Sequence, residues 1–157
     1  MKKLAVLSLS GGMDSTCLLI KLLAEGFDVH CISFNYGQKH KVELERATEN
    51  IKFLQHKNFK VTHKIVDLSS IMGLFHSALT SDEIAVPEGH YEEANMKATV
   101  VPNRNAIFSS IIYGYALSLA TEFQTSVNIS LGIHSGDHAI YPDCRPEFRD
   151  AIEHAFK

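Results

Sequence analysis

Ser10, Gly11, Gly12, Met13, Asp14, Ser15 and Thr16 stand between the apolar run Leu4-Ala5-Val6-Leu7-Ser8-Leu9 and a second one, Cys17-Leu18-Leu19-Ile20. A buried strand, a glycine turn and a helix N-terminus in that order make an anion site. Two glycines let the backbone curl around a charged group with no side chain in the way, and the first amides of a helix point outward without intrahelical acceptors. Phosphate is the natural ligand. The turn lacks the lysine of a P-loop and the spacing of the G-x-G-x-x-G dinucleotide fingerprint, so it belongs to neither class. An ordinary strand-to-helix turn with Asp14 and Ser15 as caps is the alternative. Gly-Gly with serine on both sides, however, carries more hydroxyl and amide donors than a cap needs.

The elements that must position this turn alternate in type. Residues 17–23 are apolar nearly all round, broken only by Lys21, which predicts a first helix buried against a sheet and stopped at Gly26. Residues 28–35 (DVHCISFN), 60–68 (KVTHKIVDL) and 126–134 (SVNISLGIH) alternate or run apolar and read as the second, third and fourth strands. Residues 39–55 place Leu44, Ala47, Ile51 and Leu54 at helical spacing among Glu43, Glu45, Glu49 and Lys52, the pattern of an amphipathic surface helix. Residues 105–121 predict a long helix. Its Ile107, Phe108, Ile111, Ile112, Tyr115 and Leu119 are interleaved with Ala106, Ser109, Ser110, Gly114 and Ala116, small enough to allow close packing. The fold class is therefore α/β, a doubly wound open parallel sheet of Rossmann-like type with right-handed helical crossovers, in a single domain over 1–157.

Polar clusters follow each strand: residues 10–16, then Tyr36-Gly37-Gln38-Lys39-His40, then the stretch from Ser69, then Gly136-Asp137-His138 through Tyr141-Pro142-Asp143-Cys144-Arg145. All four fall beyond the carboxyl ends of strands, the edge where open parallel sheets bind ligands, and their convergence argues for one active site. Residues 69–102 carry only short apolar runs, and a stretch of that length in a compact domain is expected to be a lid or substrate loop, with a disordered insert as the alternative.

The residues 10–16 resemble the SGGxDS motif of the ATP pyrophosphatases, the PP-loop superfamily, in which ATP is split between its α and β phosphates and the substrate is adenylated. With Tyr36-Gly37-Gln38-Lys39-His40, Pro87-Glu88-Gly89-His90-Tyr91, Val101-Pro102-Asn103-Arg104-Asn105 and the run from Gly136 to Phe148, the chain is similar over essentially its whole length to the 7-cyano-7-deazaguanine synthases of queuosine biosynthesis. The resemblance implies an ATP-dependent carbon–nitrogen ligase. Such an enzyme adenylates the carboxylate of 7-carboxy-7-deazaguanine, replaces AMP with ammonia to give the amide, and uses a second ATP to dehydrate it to the nitrile.

The residue types suit that chemistry. A carboxylate is a poor electrophile until it is adenylated, so the site must hold triphosphate and carboxylate together and neutralise their charges. ATP is expected on Leu9, Ser10, Gly11, Gly12, Met13, Asp14, Ser15, Thr16, Cys17, Leu18 and Leu19, with Asp14 a ligand of Mg2+ directly or through water. Asp14, Ser15, Arg104 and Lys39 are the expected catalytic set, Arg104 and Lys39 neutralising phosphate or carboxylate. Tyr36, Gln38, Asn103, Arg104, Asp137, His138, Asp143 and Arg145 are expected to bind the substrate, with Asp143 or Asp137 facing the adjacent donors of the deazaguanine edge. The plainer readings are Asp137 and Asp143 as turn formers, Arg104 as a surface charge opening a helix, and Lys39 as solvated.

The family also carries a C-terminal four-cysteine zinc site and a fifth strand. Zn2+ is thus expected for the family, but this sequence contains no C-x-x-C, and no metal ligand is assigned. His134 and His138 with Cys144 lack a fourth ligand. A chain without its last strand is expected to form an interface, which points to a homo-oligomer.

Composition bounds these expectations. Of 157 residues 45% are hydrophobic and 21% charged, with a formal net charge of -3, and no basic stripe argues for nucleic acid. No apolar stretch reads as a membrane span, and Met1-Lys2-Lys3 leads directly into a strand, so the expected location is the cytoplasm. Cys17, Cys31 and Cys144 are odd in number and suit a reducing compartment, Cys17 and Cys31 as core thiols.

Overall fold

A computed structural model describes residues 2–36, 41–72, 74–75, 103–133 and 141–157. In chain order the elements are β1 (Leu4–Ser8), α1 (Met13–Ala24), β2 (Asp28–Asn35), α2 (Val42–His56), β3 (Val61–Asp67), α3 (Ser69–Met72), α4 (Arg104–Phe123), β4 (Val127–Leu131), a 3-10 turn (Pro142–Cys144) and α5 (Pro146–Phe156). The four strands form one sheet in the order β3-β2-β1-β4. β1 pairs in parallel with both neighbours, Ser8 facing Ile32 on one side and Leu131 on the other. Val29 N–H donates to Lys60 O near the start of β2 and β3, and Leu68 N–H to Asn35 O near their ends. Start meets start and end meets end, so this pair is parallel too. The α/β class and the open parallel sheet read from the sequence are those observed.

The chain divides into two compact units. One comprises Met1–Phe34, Lys41–Val66 and Phe108–Ile133; of the described residues, 35–36, 67–72, 74–75, 103–107 and 141–157 form the other. The core of the first follows from the period of two in a strand. On β1, Ala5 and Leu7, with Leu9 beyond, cluster with Leu19, Leu22 and Leu23 of α1 and with Ala47 and Ile51 of α2. Phe34 of β2 stacks on Phe108 of α4, ring centroids 4.1 Å apart. Along α4 the buried Phe108, Ile112, Ala116 and Leu119 recur at helical spacing.

Three expectations need correction. Cys17 is exposed, whereas Cys31 is buried. The side of α1 facing the core is set by Ser15, Leu19, Leu22 and Leu23, and Cys17 and Ile20 fall outside that stripe. The helix is apolar on more faces than the sheet covers, so periodicity could not give its phase. Gly114 is exposed, with nothing within 4 Å of where a Cβ would stand, and does not serve close packing, while Ser109 and Ala116 are buried. Finally, α4 is long and apolar enough to cross a membrane by length and composition alone. Its one buried face inside a folded unit is that of a core helix.

Candidate nucleotide and substrate site

Within the first unit the turn after β1 is built to fold back on itself. Gly11 sits in the left-handed region at φ +84, and a Cβ placed there would run into the backbone carbonyl of Glu43 and come within 3.2 Å of the Ala47 amide nitrogen. The turn therefore lies against the backbone of α2, an approach open only to glycine. Gly12 is the N-cap of α1 and contributes no side-chain hydrogen bond, and Met13 (78% exposed) and Asp14 of the first turn stand in solvent. An uncapped helix start presents amide donors and the positive end of the helix dipole.

The hydroxyls hold this shape. Gly12 N–H donates to Ser10 Oγ at 3.1 Å and Ser10 N–H to Ser15 Oγ at 3.2 Å; the two serine oxygens lie 3.0 Å apart. Thr16 Oγ1 donates to Gly12 O at 2.8 Å. Ser15 is buried, so its hydroxyl closes the turn from within. Of the other residues expected around ATP, Leu9 and Leu19 are buried core, Leu18 is partly buried and Cys17 is exposed.

The second unit gathers a different set. Arg104, the first residue of α4, donates from Nη1 to Tyr36 OH at 3.5 Å and lies over the Tyr141 ring, its Cζ 5.7 Å from the centroid. Burial works against its charge, but Tyr36, Tyr141 and Asp143 outweigh that and hold the guanidinium above its ordinary value. Among the described residues Arg104 has no carboxylate within ion-pair distance, although the charge of Asp143 reaches it, so the partly buried guanidinium suits a further anion. Asp143, 8% exposed, accepts the Asn105 N–H on Oδ2 at 2.6 Å, and Asn105 Nδ2 donates to Asp143 O and to Cys144 Sγ. One carboxylate oxygen thus serves the start of α4, a helix-capping contact supplied from 38 residues away. Asn103 and Arg145 are exposed, at the starts of α4 and α5. Gln38, Lys39, Asp137 and His138, and residues 76–102 of the expected lid, lie outside the described residues.

Sequence reasoning missed four residues that shape these clusters. Gly132, just past β4, admits no side chain without crowding: a Cβ would lie 3.1 Å from Ser15 N and Cα. A glycine closing a strand pattern is the signal for such an approach. Ser33 donates to the carbonyl of Leu9 and is itself held by His63, and Asn105 ties α4 to Asp143. Among the described residues no group of three or more His, Cys, Asp or Glu could hold a metal by itself. A single carboxylate such as Asp14 nevertheless suits Mg2+, which takes one or two carboxylates and completes its shell with phosphate and water.

Comparison with known proteins agrees with the geometry. A 7-cyano-7-deazaguanine synthase 2 of Colwellia psychrerythraea is 52% identical over 158 residues, which cover 100% of this chain and 67% of that protein. The 7-cyano-7-deazaguanine synthases of Alteromonas mediterranea and Hahella chejuensis are 54% and 50% identical, covering 94% and 98% of this chain and 63% and 62% of theirs. The chain thus spans 62–67% of the length of these curated relatives. A crystal structure of a predicted subunit of tRNA methyltransferase from Methanocaldococcus jannaschii shares the fold at TM-score 0.57 and 18% identity, covering 99% of this chain and 64% of that one. The family model for queuosine biosynthesis protein QueC matches residues 4–157, and the chain belongs to that family.

Proposed function

We propose that the chain forms the ATP-binding portion of a 7-cyano-7-deazaguanine synthase acting on 7-carboxy-7-deazaguanine and ammonia in the cytoplasm. The observation that carries the reading is the turn over residues 10–16: a left-handed Gly11 pressed on α2, a helix start without a side-chain cap, and hydroxyls that brace the loop. In the reaction a carboxylate oxygen of the substrate attacks the α phosphorus of ATP and pyrophosphate leaves. Ammonia then attacks the acyl carbon and AMP leaves with the bonding pair, giving the amide, and a second ATP drives its dehydration.

The amides of the α1 N-terminus carry phosphate charge in this reading. Mg2+ held by Asp14 and phosphate oxygens would neutralise charge on the leaving pyrophosphate. Arg104 pairs with the carboxylate or a phosphate, its planar fork matching two oxygens at once, and Lys39 adds a second cation. Tyr36, Gln38, Asn103, Asp137, His138, Asp143 and Arg145 are assigned to the deazaguanine base. A homo-oligomer is part of the proposal, and nucleic acid and membrane are not. The test is release of AMP and pyrophosphate by the chain with ATP, 7-carboxy-7-deazaguanine and ammonia. AMP formation dependent on the deazaguanine acid is expected; ATP binding with no AMP would reduce the chain to a nucleotide-binding module.

A further inference from the structure

Backbone pairing between β1 and β2 ends where Leu9 N–H donates to Ile32 O at 2.9 Å, one residue before the glycine turn begins. The carbonyl of the same residue is held differently: Ser33 Oγ lies 2.6 Å from Leu9 O, and His63 Nε2 of β3 lies 2.7 Å from Ser33 Oγ. The wiring follows from proton counting. A carbonyl only accepts, so the one hydroxyl proton of Ser33 goes to Leu9 O, and Ser33 Oγ must accept from His63. Burial holds the His63 imidazole below its ordinary value, so near neutral pH the ring carries one N–H, and that proton must sit on Nε2. Ser33 is 0% exposed, in a place where a hydroxyl without partners would be costly.

We propose that Ser33 and His63 are positioning residues of the nucleotide loop: a chain of hydrogen bonds from His63 Nε2–H through Ser33 Oγ–H to Leu9 O fixes the peptide from which Ser10 and Gly11 depart. The direction of a peptide plane sets where the next amides point, and Leu9 is the last residue tied to the sheet before the donors meant for phosphate. The serine is the hinge pin and the histidine keeps its proton aimed at the carbonyl. The inference rests on the nucleotide-binding reading of the loop for its purpose, but its geometry can be measured without any nucleotide.

The experiment uses the chain labelled with 15N at histidine and backbone. Long-range 1H–15N correlation is expected to show His63 as the Nε2–H tautomer; an Nδ1–H tautomer would overturn the wiring. In Ser33→Ala and in His63→Leu, amide exchange at Gly11 and Gly12 is expected to rise about tenfold while Ala5 and Val6 in β1 stay protected, the size expected when one buried hydrogen bond is lost. His63→Gln, which keeps a donor near the Nε2 position, is expected to restore exchange to within about twofold. The ATP dissociation constant should follow the same order, about tenfold weaker in Ser33→Ala and His63→Leu and recovered in His63→Gln. Unchanged loop exchange in Ser33→Ala, or a rise spread evenly along β1, would overturn the positioning role, the latter by showing a merely structural one. If the unsubstituted chain binds no ATP, the nucleotide reading fails while tautomer and exchange still decide the strut.

Discussion

Replacing Gly11 by alanine isolates the contact on which the nucleotide loop depends, because a second glycine provides the control. Gly11 and Gly26 have nearly the same left-handed backbone, φ +84 and +83, but a Cβ at Gly26 meets nothing within 4 Å, whereas one at Gly11 meets the backbone of α2. Left-handed backbone costs a non-glycine residue about 1–2 kcal/mol, part of it offset by about 0.4–1 kcal/mol from the stiffer unfolded chain. Gly26→Ala should therefore lose about 1 kcal/mol. Gly11→Ala carries the same strain plus a clash with main-chain atoms, which no rotamer change relieves, and overpacking of this kind adds about 1–3 kcal/mol. The expected total is about 3 kcal/mol, or a midpoint lowered by roughly 6–12 °C in a chain of this size, against roughly 2–4 °C for Gly26→Ala. Urea unfolding of both variants, with ATP titration by calorimetry, reads the two consequences. Nucleotide affinity should fall in Gly11→Ala and be untouched in Gly26→Ala. Equal destabilisation at the two positions would refute the packing of the loop on α2.

Asp14→Ala should leave stability within about 1 kcal/mol, since the carboxylate is exposed and gives up only its interaction with the helix dipole; AMP release should be abolished, and full activity by product assay would remove Asp14 from the mechanism. Asp143→Asn keeps an acceptor for Asn105 N–H but loses the charge in the 2.6 Å bond. It should cost about 1 kcal/mol in thermal unfolding and, if Asp143 also reads the base, should weaken 7-carboxy-7-deazaguanine far more than ATP in separate titrations. Equal loss of both ligands would leave Asp143 a structural role alone. His30 and His63 are both held below their ordinary value, by burial first and, for His30, by Lys2 as well. The unfolded chain binds protons more readily, so stability is fully present above about pH 6.5 and is lost as pH falls through the lower native values; stability that rose on acidification through that window, measured by urea unfolding, would contradict the burial of both rings.

The order of elements was legible because apolar runs and polar clusters alternate cleanly and Gly26 ends α1 where a helix stop was expected. The boundaries moved by a residue or a few, as at α2, expected over 39–55 and found as Val42–His56. What the pattern could not give was facing. The second strand looked alternating, yet Cys31, Ile32, Ser33 and Phe34 are all buried, because β2 is an inner strand covered on both sides. Ser33, a polar residue of that pattern, is a buried hydrogen-bond relay. Asn105 and Asp143 illustrate a second limit: Asp143 was expected at the substrate, and only folding shows that it also pairs with Asn105, 38 residues away. The glycines and serines of the loop were legible as a turn between a strand and a helix, but the inward direction of the Ser15 hydroxyl depends on which helix face the sheet covers.

The strand order explains why so many separate segments meet at this turn. The chain runs outward from β1 to β2 and β3, then returns through α4 to lay β4 on the other side of β1, so the end of β1 stands at the point where the winding reverses. The loop is thereby flanked by segments distant in sequence: Ser33 of β2 holds its entrance, Gly132 after β4 abuts Ser15 at its exit, and the backbone of α2 lies under Gly11. Two of these three contacts are glycine against backbone, which leaves no side chain free to yield. In the proposed role a turn fixed in this way would have little conformational freedom to lose on binding phosphate, which is where preorganised sites gain affinity. It also follows that the turn cannot be reshaped for another ligand by point substitution at its rim.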